Sequence, residues 1–303
     1  MSETNLIEIF CKVDDFCQEF LPAFESQLLE SGAKTRSRVR SLETSEILSI
    51  LIFYHQCRFR NFKHYYEHFA RVYLLDYFPA LPSYSRMIQY MPSILVPLLA
   101  FLRSRCLGQA TGNQFVDSCP LVVCHNRRIH NHKTFQGLAK RGKTSVGWFF
   151  GFKLHLLIND LGEIVSFVLS PGNVVDGNPE VIWKLTKGVW GKLFGDKGYI
   201  SKKMAEELKK IGIELITKTR KNMKPRPIPF IDKIRLMKRG VIECSIDALK
   251  NQAYVEHSRH RSFGGFLINT FAALCAYSFE AKKPKPKFEF PFLVDIDSEL
   301  IRP

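Results

Sequence analysis

Residues 192–200 read Lys-Leu-Phe-Gly-Asp-Lys-Gly-Tyr-Ile, and this stretch constrains the fold more than any other. Leu193 and Phe194 form a short apolar run that stops at Gly195, and Asp196 follows between two glycines. An apolar run closed by glycine is the pattern of a buried strand ending in a turn. Residues 201–211 then carry apolar side chains at helical spacing, so the local unit is strand, acid, turn, helix. A carboxylate at such a point is a turn or cap residue unless other acids reach it, so its meaning depends on the rest of the chain.

The rest of the chain is able to bury a large core. It has 303 residues, 46% of them hydrophobic and 13% aromatic, with 25 Phe, which argues against global disorder. Lys and Arg number 44 against 29 acids, a net charge of +15. An excess of that size points to a polyanionic partner, nucleic acid before an anionic membrane. No run of 18 or more uncharged apolar residues occurs, and Met1-Ser2-Glu3 lacks a basic leader, so neither a membrane span nor a secretory signal is expected. Eight Cys, several inside apolar periodic runs, fit reduced core thiols and a cytoplasmic location.

Periodicity divides the chain into two regions and a tail. Residues 4–30, 44–53, 61–77 and 83–105 carry helical spacing, with Thr44 as a candidate cap and Phe78-Pro79-Ala80-Leu81-Pro82 as a break. Residues 1–108 therefore read as a mostly helical N-terminal module. Its Arg36, Arg38, Arg40, Arg58, Arg60 and Lys63 suit either a helix-turn-helix-like DNA reader or a bundle with a solvated basic face. Strands begin at 114–118, which Asp117 closes, and 147–158 runs into the turn Asn159-Asp160-Leu161-Gly162 and returns along 163–169. A helix is expected over 176–187, a strand over 192–194, a helix over 201–211, a strand over 214–218 and a helix over 238–255. Three antiparallel strands followed by alternating helix and strand is the order of an α/β, ribonuclease-H-like mixed sheet with flanking helices, here spanning 109–280. Residues 281–303 form a basic, Pro-rich tail.

Three acids occupy related places in that order. Asp117 and Asp196 close the first and fourth strands, and Glu243 lies on the late helix. Hard oxygen ligands of this kind suit Mg²⁺ or Mn²⁺ and not zinc. Two such ions about 4 Å apart can activate an attacking oxygen and stabilise a leaving one in displacement at phosphorus. Asp247, one turn further on, rivals Glu243 as the third ligand. Arg239 and Lys250 share the same helical face, where they either flank the ligand or form weak surface ion pairs with these acids. Residues 124–147 contain Arg127, Arg128, Lys133, Lys140, Arg141 and Lys143 and no acid at all, and His257, Arg259, His260 and Arg261 make a dense basic end. Lys197 either meets a phosphate or is solvated. Cations so grouped can neutralise phosphates and give salt-dependent binding. Cys119, Cys124, His125, His130 and His132 match no tight zinc pair, and no Gly-x-Ser-x-Gly nucleophile elbow is present.

Several stretches of this chain resemble bacterial insertion-sequence DDE transposases, most of all the insertion-sequence family labelled nine-eighty-two. They are Phe115-Val116-Asp117-Ser118, Arg127-Arg128-Ile129, residues 147–155 (Gly-Trp-Phe-Phe-Gly-Phe-Lys-Leu-His), Gly195-Asp196-Lys197-Gly198-Tyr199 and residues 256–261 (Glu-His-Ser-Arg-His-Arg). Arg239, Glu243 and Lys250 also fit a Tyr-x₂-Arg-x₃-Glu-x₆-Lys signature, with Leu236 standing where Tyr would be. The resemblance implies a DDE site at Asp117, Asp196 and Glu243 binding Mg²⁺ or Mn²⁺ as two ions. It further implies phosphodiester hydrolysis at element ends and joining of the freed 3′-hydroxyl to target DNA. The implied partners are the transposon terminal inverted repeats, target DNA and a second protomer, at least a dimer on DNA, with no membrane. A nuclease that cuts without joining, or a catalytically silent DNA-binding protein, are the alternatives.

Overall fold

The computed structural model describes residues 3–32, 40–219, 223, 227–256 and 260–286. Its centre is one mixed sheet of six strands: β1 (Asn113–Cys124), β2 (Lys140–Lys143), β3 (Trp148–Asn159), β4 (Ile164–Pro171), β5 (Gly191–Gly195) and β6 (Ile213–Thr217). They lie in the order β2-β3-β1-β5-β6, and β4 also pairs with β3, along residues 152–158, beyond the stretch that β2 occupies. β1, β3 and β4 are antiparallel neighbours, whereas β5 and β6 run parallel to β1. This is the ribonuclease-H-like order expected from the sequence. β3 is buried along nearly its whole length, which is why it reads as an apolar run without alternation.

Two strand readings need correction. Asp117 does not end its strand: β1 continues to Cys124, paired with β3 from Gln114 onward except for an irregularity between Val122 and Cys124. Only its first three residues pair with β5, the last match being Phe115 with Phe194. Past that point β1 is a sheet edge on one side, where Pro120 is tolerated. Farther along, the edge is capped by Glu256, whose carboxylate accepts from the Val122 N–H at 3.1 Å. The second correction is β2 itself, in a basic segment whose sequence gives no strand signal. Its Lys140, Arg141 and Lys143 are exposed at the end of the sheet.

Among the described residues of the first 106, all the regular elements are helices: α1 (Glu3–Glu30), α2 (Thr44–Gln56), α3 (Phe62–Tyr65), α4 (Arg71–Tyr73), α5 (Tyr84–Tyr90) and α6 (Leu95–Phe101), linked in places by 3₁₀ and π turns. The cap of α2 is Glu43 and not Thr44; Glu46 accepts from the Glu43 N–H at 2.7 Å. Residues Tyr84–Cys106 are long and apolar enough, by length and composition, to cross a membrane. In this fold Ile94, Leu98, Phe101 and Leu102 of that stretch are buried in the core.

Helices α7 (Pro179–Leu185), α8 (Lys202–Lys210), α9 (Phe230–Met237), α10 (Val241–Asp247) and α11 (Phe263–Ser278) flank the sheet. α7 is shorter than expected, because Asn178 caps it through the Glu180 and Val181 N–H groups. Asp176 therefore lies in the preceding loop. The late helix starts earlier and ends sooner than its spacing suggests, running through consecutive helical segments from Phe230 to Gln252. α11 has no counterpart in the sequence reading. It is apolar on all sides, packs against α2 and α6, and joins helical region and sheet in one continuous core. A helix buried all round carries no polar stripe to reveal its period.

Candidate active site

The divergence of β1 from β5 creates the site. Phe115 pairs with Phe194, an offset of 79 residues (194 − 115), and the same offset carries Asp117 to Asp196. Parallel strands lie about 4.8 Å apart, so the two acids leave adjacent strands at the place where the ladder opens. Asp196 starts a 3₁₀ turn, Lys197–Tyr199, and both Asp196 and Lys197 face solvent. Gly195 lets the strand end pack closely against Tyr199. It is buried, and a Cβ on it would stand 3.2 Å from the Tyr199 ring.

The late helix reaches the same point through Arg239. Its Nη1 donates to Asp117 Oδ2 at 3.0 Å and its Nη2 to Glu243 Oε1 at 3.0 Å. One guanidinium therefore joins two of the three expected acids. Burial pushes the Asp117 carboxyl above its ordinary range, and nearby Glu243 adds to the rise, against the Ser118 N–H and Arg239. Asp247 is not joined to this bridge; it accepts from Asn251 Nδ2 at 2.5 Å. Lys250 is engaged with Glu256 at 2.7 Å, so it braces the β1 edge instead of standing free over the acids.

Beside Asp117 lies a polar cluster that the sequence reading missed. Lys153, only 7% exposed, donates to Asp176 Oδ1 at 2.8 Å, and Ser118 Oγ donates to the same oxygen at 2.6 Å. Burial works to raise Asp176, but these two hydrogen bonds outweigh it and hold the carboxyl below its ordinary value. His155, opposite Ser118 in the sheet, shares a 2.8 Å hydrogen bond with Ser170 and is held neutral by burial, its pKa lowered to about 4. The buried Tyr199 hydroxyl has no hydrogen-bond partner among the described residues. Its pKa is raised by burial and by the carboxylates of Asp117, Asp176 and Asp196, with Arg239 opposing them. A Lys and a His inside an otherwise apolar strand were the one legible signal for this cluster. Asp176 itself gave none, since it fitted the start of a helix.

Among the remaining expected DNA contacts, Arg127, Arg128, Lys133, Arg141, Lys143 and Arg261 are exposed. His257 and Arg259 lie outside the described residues. His260 is not a cation at neutral pH, because burial lowers its pKa to about 4. Leu236, at the place of the signature Tyr, is a buried core residue.

Among the described residues, no group of three or more His, Cys, Asp or Glu is already gathered for a metal ion. The donor chemistry nevertheless fits a hard divalent cation. Two carboxylates converge on one positive group, and a third leaves the neighbouring strand beside them.

A parallel-antiparallel sheet of this order, with acids where β1 and β5 part and on the helix that crosses them, defines a ribonuclease-H-like domain. The particular family follows from comparison with known proteins. A family model described as the transposase DDE domain matches residues 107–263, over half of the chain, and the chain belongs to that family. The match does not distinguish insertion-sequence families within it. No curated protein matches. Among solved structures, the chain is similar to the piggyBac transposase synaptic complex with hairpin DNA at 12% identity and a TM-score of 0.37, covering 75% of this chain and 51% of that one. It is also similar to the Mos1 strand transfer complex at 10% identity and a TM-score of 0.27, covering 82% of this chain and 81% of that one. The chain thus spans about half the length of the piggyBac chain it matches.

Proposed function

We propose that this protein is a DNA transposase whose reacting centre is formed by Asp117, Asp196 and Glu243. The observation that carries the reading is the Arg239 bridge between Asp117 and Glu243, made where Asp196 leaves the adjacent strand. Divalent cations held by these three carboxylates, Mg²⁺ or Mn²⁺, would lower the barrier to attack by an oxygen and neutralise charge on the leaving oxygen. The chain's own residues supply the rest. Asp117 is desolvated and fixed by the Ser118 N–H, so its geometry is set before a ligand arrives. Asp176, itself held by Lys153, braces Ser118, the next residue of the strand. Arg239, which here holds Asp117 and Glu243 together, would be free to meet a phosphate if divalent cations supplied the counter-charge to those acids.

In the first reaction an oxygen of water bonds to phosphorus at the element end, and the bond to the 3′ oxygen breaks, freeing a 3′-hydroxyl. In the second that hydroxyl attacks a target phosphodiester and a target 3′ oxygen leaves. The exposed cations of residues 124–147 supply the phosphate contacts. The test is Asp196→Asn, assayed for Mg²⁺-dependent cleavage and for DNA binding. Cleavage is expected to vanish while binding stays near the wild-type level, and cleavage at the wild-type rate would overturn the triad. Nicks without joined product from the native protein would favour a nuclease.

A further inference from the structure

We propose that the β2–β3 hairpin is a stacking site for an unpaired DNA base, with Trp148 as the platform and Arg141 and Lys143 as the phosphate contacts. The proposal rests on the DNA reading above and deepens it. The hairpin closes through Thr144 and Gly147, which exchange backbone hydrogen bonds at 2.9 and 3.3 Å. Its tip places Val146 96% exposed and Trp148 56% exposed. An aromatic ring this exposed on a hairpin is open to contact by a partner.

The register shows what surrounds them. Lys143 pairs with Trp148 and Arg141 with Phe150, so alternation puts Arg141, Lys143 and Trp148 on one face. The Arg141 guanidinium lies 5.5 Å and the Lys143 ammonium 5.7 Å from the Trp148 ring. A nucleotide carries a flat base and an anionic phosphate one sugar apart, and an aromatic ring beside two cations matches both. Charge selects the occupant. Residues 124–147 contain six Lys or Arg and no acid, all six are exposed, and none makes an ion pair among the described residues. A stretch of this kind is a poor seat for a second copy of a chain that is itself strongly basic, with a net charge of +15.

The support beneath the ring is also built. Asn126 Nδ2 donates to the Trp148 carbonyl at 2.7 Å, tying the hairpin to the turn that bears Arg127 and Arg128. Trp148 stands eight residues along β3 from Leu156, the partner of Asp117. At about 3.3 Å per residue that is about 26 Å, or roughly eight base-pair steps of about 3.4 Å each. The stacked base is therefore several steps from the reacting phosphate, so the site serves recognition and not the displacement.

The experiment uses the full chain and two fluorescent probes of one sequence, a blunt duplex and the same duplex with a short single-stranded extension. Affinity is measured by anisotropy at fixed salt. The native protein should bind the extended probe more tightly, and Trp148→Ala should lose about tenfold on that probe and little on the blunt one. Trp148→Phe should keep most of the preference, which guards against a folding artefact. Replacing Arg127 and Arg128 by Ala should weaken both probes together and flatten the salt dependence. Equal affinity of the native protein for the two probes, equal losses for Trp148→Ala on both, or a change in oligomeric state instead of DNA affinity would overturn the stacking site. Failure of the native protein to bind either probe would overturn the DNA reading itself.

Discussion

Replacing Arg239 by Met tests the bridge that organises the site, since Met keeps much of the side chain's bulk and removes its charge. The guanidinium is 16% exposed and grips Asp117, itself 23% exposed, and Glu243, 62% exposed. The inner arm is a charge-assisted hydrogen bond in a poorly solvated place, worth about 1.5–3 kcal/mol. The outer arm is a solvent-screened helical pair worth about 0.3–0.5 kcal/mol. Arg239→Met should therefore destabilise the metal-free protein by roughly 2 kcal/mol, a fall in Tm of roughly 4 °C for a chain of this size. The two carboxylates then lack a counter-charge, so a divalent cation should bind them more tightly. A tenfold gain in affinity would appear as about 1.4 kcal/mol more stabilisation at saturating Mg²⁺. The assay is urea unfolding in EDTA and in MgCl₂, for native protein and variant. The reasoning fails if the variant matches the native protein in EDTA, or if Mg²⁺ stabilises both equally.

Other perturbations follow from the same packing. Lys153→Met and Asp176→Asn should each destabilise the fold and be non-additive, with a coupling on the order of 1 kcal/mol in a double-mutant cycle; costs that simply add would show that the half-buried pair is not one unit. Acid should destabilise the protein well above the carboxylate range. His55, His155 and His260 each have a folded pKa lowered from 6.5 to about 4 by burial. The unfolded chain then binds protons that the folded chain refuses, so stability is full above pH 6.5 and falls as pH drops toward 4. At pH 5 each histidine accounts for up to about 2 kcal/mol. Urea midpoints at pH 7 and pH 5 measure the sum, and identical midpoints would contradict it.

Much of the sheet was legible because strands and turns are local. The apolar pair Leu193-Phe194 ending at Gly195-Asp196, and the Asn159-Asp160-Leu161-Gly162 turn, mark β5 and the β3–β4 hairpin from their own composition. The helical spacing of residues 4–30 and 201–211 marks α1 and α8 in the same way. Elements defined by their surroundings were not legible. α11 has no polar face to reveal its period, and the basic strand β2 exists because β3 offers it an edge.

The site divides along the same line. Sequence by itself offered Asp117, Asp196 and Glu243 as candidates, with the spacing of Arg239 to Glu243 and the acid-free basic run, because each is a residue type at a countable separation. Only the tertiary structure decided that Arg239 spans two of the acids and that Lys250 is committed to Glu256. It alone drew Asp176 in from a loop to Lys153 and Ser118. The physical reason is that a buried lysine must find a carboxylate wherever the fold brings one, and distance along the chain does not encode which one arrives.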